Sequence, residues 1–149
     1  MKIAVHYISL AANQNYPQAQ HNIGYFYYRG DYYAKDIKKA IHYFTLAADQ
    51  NVPESQYNLG NIYYLGEDVA RDVNKAIYYF SLAANHNLLK AQLFLGDFYY
   101  LGRDTTRNIN KAIHYYSLAA NQNHPNALFL LGFFYYDGKY VARDINKSI

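Results

Sequence analysis

The sequence predicts an all-α fold, an α-solenoid of antiparallel helix pairs built on a 36-residue repeat. Three observations carry that prediction. The segment DIKKAIHYFTLAADQN from Asp36 returns as DVNKAIYYFSLAANHN from Asp72 and as NINKAIHYYSLAANQN from Asn108. A headless copy, MKIAVHYISLAANQN, opens the chain and a stump, DINKSI, closes it. Ala4, Ala40, Ala76 and Ala112 therefore stand 36 apart, with Ser148 in the next slot. Between these copies lies a second segment in which Gly24, Gly60, Gly96 and Gly132 keep the same spacing. The 149 residues are expected to form one array over 1–149, with units at about 1–16 (partial), 17–52, 53–88, 89–124 and 125–149 (partial), and no separate domains.

Within the first segment Ile37, Ala40, Ile41, Phe44, Ala47 and Ala48 recur at three- and four-residue steps, one apolar stripe of a helix. Asp36 precedes it where an N-cap is wanted, and Asp72, Asn108 and Asp144 fill the same slot. The first copy lacks the cap, because Met1 aligns with Ile37. The Ala pairs (Ala47-Ala48 and its copies) have little side chain, so another helix can approach closely there. Asn15, Asn51, Asn87 and Asn123 follow, the commonest substitute for Gly in the left-handed turn that stops a helix. Pro17, Pro53 and Pro125 then suit the first turn of a second helix. Leu89 replaces the proline at the third junction, where a less rigid turn is expected.

The second helix is expected from about Pro17 to Tyr28, with Ala19, Ile23, Phe26 and Tyr27 as its core face. The counterparts are Ser55, Leu59, Ile62 and Tyr63; Ala91, Leu95, Phe98 and Tyr99; and Ala127, Leu131, Phe134 and Tyr135. Glycine inside a helix costs about 1 kcal/mol relative to alanine. Its recurrence at Gly24, Gly60, Gly96 and Gly132 predicts a packing reason, the crossing of a neighbouring backbone. Gly30, Gly66, Gly102 and Gly138 stop this helix, and a polar loop leads to the next cap.

Composition narrows the function classes. There are no cysteines, which excludes disulfides, thiolate zinc sites and cysteine nucleophiles. A net charge of +3 is too mild to imply a polyanion partner. No apolar run approaches the ~20 residues of a membrane span. The apolar stretch after Met1 aligns with three internal helices, so it is assigned to the repeat and not to a targeting signal.

The fixed positions Ala19, Ile23, Gly24, Tyr27, Gly30, Asp36, Lys39, Ala40, Tyr43, Ala47 and Ala48 carry a family resemblance. The unit resembles the Sel-one-like repeat (SLR), a 36-residue relative of the tetratricopeptide repeat, over essentially the whole chain. Two departures stand out. The second loop glycine is Tyr32, Asp68, Asp104 or Tyr140, and the glycine after the Ala pair is Asn. The resemblance implies a right-handed superhelix serving as a non-catalytic scaffold or adaptor for other proteins. A cysteine-rich secreted branch of the family is linked to β-lactam binding or hydrolysis, which makes such an enzyme the rival expectation. The lack of cysteine and of a nucleophile–base pair argues against it. A truncated relic without function is the third.

No residue set points to catalysis, a metal or a cofactor, and none of the three is expected. His6, His42 and His114 share one repeat position, interrupted by Tyr78, and fit partly exposed helix-surface histidines better than metal ligands. Lys39, Lys75, Lys111 and Lys147 form one basic row; Lys35, Arg71, Arg107 and Arg143 form another, which the adjacent Asp36, Asp72 and Asp144 are expected to neutralise. Ser9, Thr45, Ser81 and Ser117 recur mid-helix with no matched base and are expected to be back-bonded or small packing residues. The first tyrosine of each Tyr pair (Tyr27-Tyr28 and its copies) is assigned to packing.

Recognition in a repeat protein belongs to positions that differ between copies. One column of the second helix reads His21, Tyr57, Leu93, Phe129; another reads Tyr25, Asn61, Asp97, Phe133; a third reads Gln18, Glu54, Lys90, Asn126. The first two are the candidate partner-binding groove, expected to be polar and aromatic early and greasier toward Phe129 and Phe133. The expected partner is a protein or peptide, with nucleic acid and membrane disfavoured and end-to-end self-association left open. Leu131 and Phe134 are expected to be under-covered, because the array stops one turn into the next helix.

Overall fold

The computed structural model describes residues 2–138. The positions expected at Met1, Tyr140, Arg143, Asp144, Lys147 and Ser148 lie outside the described residues. Within them the chain forms eight helices and no strand: α1 (Lys2–Asn13), α2 (Pro17–Arg29), α3 (Ile37–Ala48), α4 (Pro53–Leu65), α5 (Val73–Asn85), α6 (Leu89–Leu101), α7 (Ile109–Asn121) and α8 (Pro125–Asp137). Two compact units hold them, residues 1–86 with α1 to α5 and residues 87–149 with α6 to α8. The architecture is a solenoid of helix pairs.

The helix boundaries follow from local chemistry. Asp36, Asp72 and Asn108 each accept a hydrogen bond through Oδ1 from the backbone N–H three residues on, at 3.0, 2.9 and 3.0 Å. Each turn out of an Ala-pair helix carries its asparagine at positive φ, 65° at Asn15, 63° at Asn51, 61° at Asn87 and 59° at Asn123. The turn before α6 keeps this geometry although Leu89 replaces proline, with Leu88 as extended as Tyr16 and Val52. At the other end Gly66, at φ 66°, needs both its conformation and its missing side chain. A Cβ there would lie 2.5 Å from Arg71 Cβ and 2.8 Å from its Cα. The mid-helix hydroxyls are back-bonded, Ser9 to the Val5 carbonyl and Thr45 to that of Ile41 at 2.8 Å, and Ser117 to Ile113 at 2.7 Å.

In the first unit each helix packs on the next, α1 on α2 through α4 on α5. One cluster joins Ala12, Ala19 and Ile23; a second joins Ala40, Phe44, Ala48, Leu59 and Ile62. The second unit packs α6 on α7 and α7 on α8, burying Ala91, Leu95, Phe98, Tyr99, Ala112, Tyr116, Ala119, Ala127 and Phe134. Burying a Phe or Leu side chain is worth about 1.5–3 kcal/mol, so these side chains supply most of the driving force.

Two packing expectations need correction. The mid-helix glycines face a ring, not a crossing backbone: a Cβ on Gly24 would lie 2.8 Å from Phe44, on Gly60 2.7 Å from Phe80 and on Gly96 2.6 Å from Tyr116. Phe134 is not under-covered, being only 2% exposed, because the rings of Tyr100 and Tyr116 lie against it at 5.6 and 6.3 Å. Leu131 is half-buried.

Sequence patterning alone missed a buried amide ladder. Gln20, Gln56 and Gln92 are fully buried at one repeat position. Gln56 Nε2 donates to the Ala48 carbonyl at 3.1 Å, closing off the end of α3, while its Oε1 accepts from His86 Nδ1 at 3.0 Å. Gln20 Oε1 accepts from Gln50 Nε2 at 2.7 Å, and Gln92 Oε1 from Gln122 Nε2 at 2.8 Å. Each glutamine thus ties its helix to the end of the Ala-pair helix that follows. Leaving such a buried group unmatched would cost about 1–3 kcal/mol.

The ring-on-glycine contact sets a test. Gly60→Ala gains helix propensity but drives a methyl group into the fully buried Phe80 ring, so a net loss of about 1–3 kcal/mol in urea unfolding is expected. Adding Phe80→Leu should make the Gly60→Ala step less costly than it is alone. A variant as stable as the parent would show that the contact does not limit helix approach.

Candidate protein-interaction surface

The candidate residues divide between structural and open positions. In the first unit His21 is half-buried, its Nδ1 2.7 Å from Ser55 Oγ and its ring 5.7 Å from that of Phe44. Tyr57 is half-buried with its ring 5.3 Å from Phe80, and Asn61 is half-buried. Tyr25 is exposed, with the Arg29 guanidinium 6.0 Å from its ring. In the second unit Leu93 is half-buried, and exposed Asp97 accepts a 2.6 Å hydrogen bond from Tyr116. Phe129 and Phe133 are both exposed. The expectation that the whole His21 column is an open surface is therefore corrected: its first three members lie half-buried. The column of Gln18, Glu54, Lys90 and Asn126 is exposed at every copy.

Two differences between copies turn out to be paired inside the fold. Tyr116 stands where α3 and α5 carry Phe44 and Phe80, and Asp97 is the acceptor its hydroxyl reaches. Burial, reinforced by that hydrogen bond, pushes the Tyr116 phenol well above its ordinary value. Ser55 stands where the other copies carry alanine, and His21 is the side chain it meets. Ser55 is fully buried, so this serine–histidine pair offers no accessible nucleophile.

The basic rows are held by tyrosines. Lys39 Nζ lies 5.1 Å from the Tyr27 ring centre, Lys75 4.1 Å from Tyr63 and Lys111 4.7 Å from Tyr99. Those rings stack in turn on Tyr43, Tyr79 and Tyr115 at 6.0, 6.0 and 5.9 Å. Such contacts are worth about 0.5–1 kcal/mol at exposed sites, which explains a cation at a helix start, where the dipole disfavours it. A hydrogen bond to Tyr63 raises the Lys75 ammonium above its ordinary value, against the opposing cost of desolvation. Arg71 donates through Nε to the Tyr64 carbonyl at 2.9 Å. Lys35 is neutralised by Asp68, at 2.9 Å, and not by the neighbouring Asp36, whose carboxylate caps α3. His6, His42 and His114 are exposed, and no group of three metal-binding side chains occurs among the described residues.

The pattern that defines the Sel1 repeat matches residues 1–16, 17–52, 53–88, 89–124 and 125–149. The chain belongs to the Sel1 repeat family. Sel1 repeats form a helical scaffold that typically mediates protein interactions. The fold is similar to that of a Sel1 repeat protein from Oxalobacter formigenes, with 33% identity and a TM-score of 0.81, over 99% of this chain and 60% of that one. It is also similar to a protective antigen of uropathogenic Escherichia coli with an SLR fold, with 31% identity and a TM-score of 0.80, over 97% of this chain and 32% of that one. The chain thus spans less than two thirds of either protein. Helicobacter pylori cysteine rich protein B shares the fold at 22% identity and a TM-score of 0.64, over 85% of this chain and 96% of that one. A search of curated proteins found no match. No described helix is long and apolar enough to cross a membrane.

The buried tyrosine gives this Sel1 surface a pH signature. Unfolding exposes Tyr116, whose phenol then ionises near 10 while the folded phenol stays protonated. Its contribution to stability is therefore intact below about pH 10 and lost as the pH rises toward the folded value. Tyr116→Phe should flatten the alkaline decline in unfolding free energy relative to the parent; parallel declines in the two proteins would contradict the assignment.

Proposed function

We propose that this chain is a non-catalytic, protein-binding scaffold that works as a single Sel1 repeat array. Its recognition residues are those open on the proline-started helices. The carrying observation is the contrast between a nearly invariant frame and a few exposed, varied side chains. In the first unit Tyr25 fills this role, with the half-buried His21, Tyr57 and Asn61 as secondary candidates; in the second Phe133 and Phe129 do, with Leu93 and Asp97 as secondary candidates. Exposed aromatic rings are the side chains that most often anchor a protein or peptide partner. Lys39, Lys75 and Lys111 are each laid on a tyrosine and the net charge is only +3, which argues against a nucleic-acid footprint.

The test is affinity capture on the immobilised chain followed by mass spectrometry, with parent and variant compared. Tyr25→Ser with Phe133→Ser should strip off the specifically captured partner, a loss of at least tenfold, without changing helix content or unfolding midpoint. Ser at His42 and His114, exposed on the Ala-pair helices, should leave capture unchanged. Equal loss from both pairs would overturn the assignment of the recognition face.

A further inference from the structure

One polar pair crosses the interior of the first unit, between α2 and α4, the two helices that carry its recognition residues. His21 on α2 and Ser55 on α4 meet at 2.7 Å, Nδ1 to Oγ. Neither residue recurs at its slot: Ala19, Ala91 and Ala127 hold that of Ser55, and Tyr57, Leu93 and Phe129 that of His21. Ser55 is fully buried, and among the described residues its hydroxyl has no other partner. That fixes the direction of the bond. A buried hydroxyl hydrogen is costly to leave unmatched, so Ser55 donates and His21 Nδ1 accepts. His21 is then a neutral imidazole with its proton on Nε2.

Protonation reverses the sense of that contact. An imidazolium carries a hydrogen on both nitrogens, so Nδ1 turns from acceptor to donor. Ser55 Oγ can accept from it, but the serine hydrogen then has no acceptor in the interior. The surroundings do little to offset this. α3 sets the Phe44 ring 5.7 Å from the imidazole, and α1 packs on α2 through Ile8, Ala11 and Ala12. On α4 the exposed Glu54 precedes Ser55 and the half-buried Tyr57 follows two residues on. Tyr25 stands one turn along α2 itself. Glu54 is the single carboxylate among these groups, and at an exposed position its pull on a cation is worth little. We propose that His21 and Ser55 form a pH-sensitive clasp, which ties α2 to α4 while His21 is neutral and lets go when it is protonated. Imidazoles gain their proton between about pH 8 and 5, so the clasp opens in mild acid. Its output rests on the recognition role proposed for Tyr25: acid loosens the helix that presents this ring and weakens capture of a partner.

Urea unfolding of the full 149-residue chain between about pH 8 and 5 tests the clasp. Ser55→Ala leaves no hydroxyl to strand and repeats the alanine of the other copies, so it should fold. Across this range the parent's unfolding equilibrium constant should rise about five- to thirtyfold more than that of Ser55→Ala. The other histidines are common to both proteins and cancel. His21→Leu should share the shallow dependence of Ser55→Ala and start below the parent in stability, because its serine is stranded at every pH. Nitrogen-15 spectra at about pH 8 should place the His21 proton on Nε2. A parallel decline of parent and Ser55→Ala, or a neutral His21 protonated on Nδ1, would overturn the clasp. Affinity capture at about pH 7.5 and 5.5 reads its output: the parent should lose its partner in acid and Ser55→Ala should retain it. Equal loss from both, with the stability difference present, would overturn the coupling to recognition. A chain that captures nothing at either pH contradicts the recognition role of Tyr25 and not the clasp, which unfolding alone decides.

Discussion

Where Phe44 lies against Gly24, the separation of two helices is fixed by a hydrogen atom instead of a methyl group. The same holds for Phe80 on Gly60 and Tyr116 on Gly96. These rings are among the largest fully buried side chains, and the positions around them depend on how close that contact lets the helices come. The stacked tyrosines, the cations over them and the glutamine that reaches the next helix end all lie between helices held by this contact. The conformational cost of placing glycine mid-helix, about 1 kcal/mol, is offset by burying an aromatic ring at a spacing no other residue permits.

Much of the fold was legible because its signals are local. A cap, a left-handed asparagine, a stop glycine and a three-four apolar stripe each act within a few residues, and those on the described residues stand where the sequence placed them. What escaped acts over a longer distance. Gln20, Gln56 and Gln92 look like surface residues in a helical pattern, yet their partners are other side chains 30 residues away. The lysines made sense only once Tyr27, Tyr63 and Tyr99 were beneath them. The glycine's neighbour was misassigned because spacing shows that room is needed but not whether a backbone or a ring fills it.

The candidate surface was less legible, for a related reason. Variation between copies was taken as a sign of recognition, and part of it is internal compensation. Asp97 differs because Tyr116 has a hydroxyl to satisfy, and Ser55 differs from alanine where His21 meets it. Subtracting such pairs leaves fewer varied side chains open to a partner: the exposed aromatics Tyr25, Phe129 and Phe133, and the polar column of Gln18, Glu54, Lys90 and Asn126. A Sel1 array therefore separates into a frame that tolerates only matched changes and a small set of exposed, varied positions.

The glutamine ladder has a consequence for how the molecule comes apart. In an array held by apolar packing alone, an outer helix pair can fray while its neighbour loses only contact area. Gln56 bonds the end of α3 with its amide nitrogen and the start of the turn after α5 with its oxygen. Releasing either helix therefore strands a polar group in the interior. Opening then favours larger blocks over single helices, which would appear as long stretches of backbone amides exchanging with solvent at a common rate.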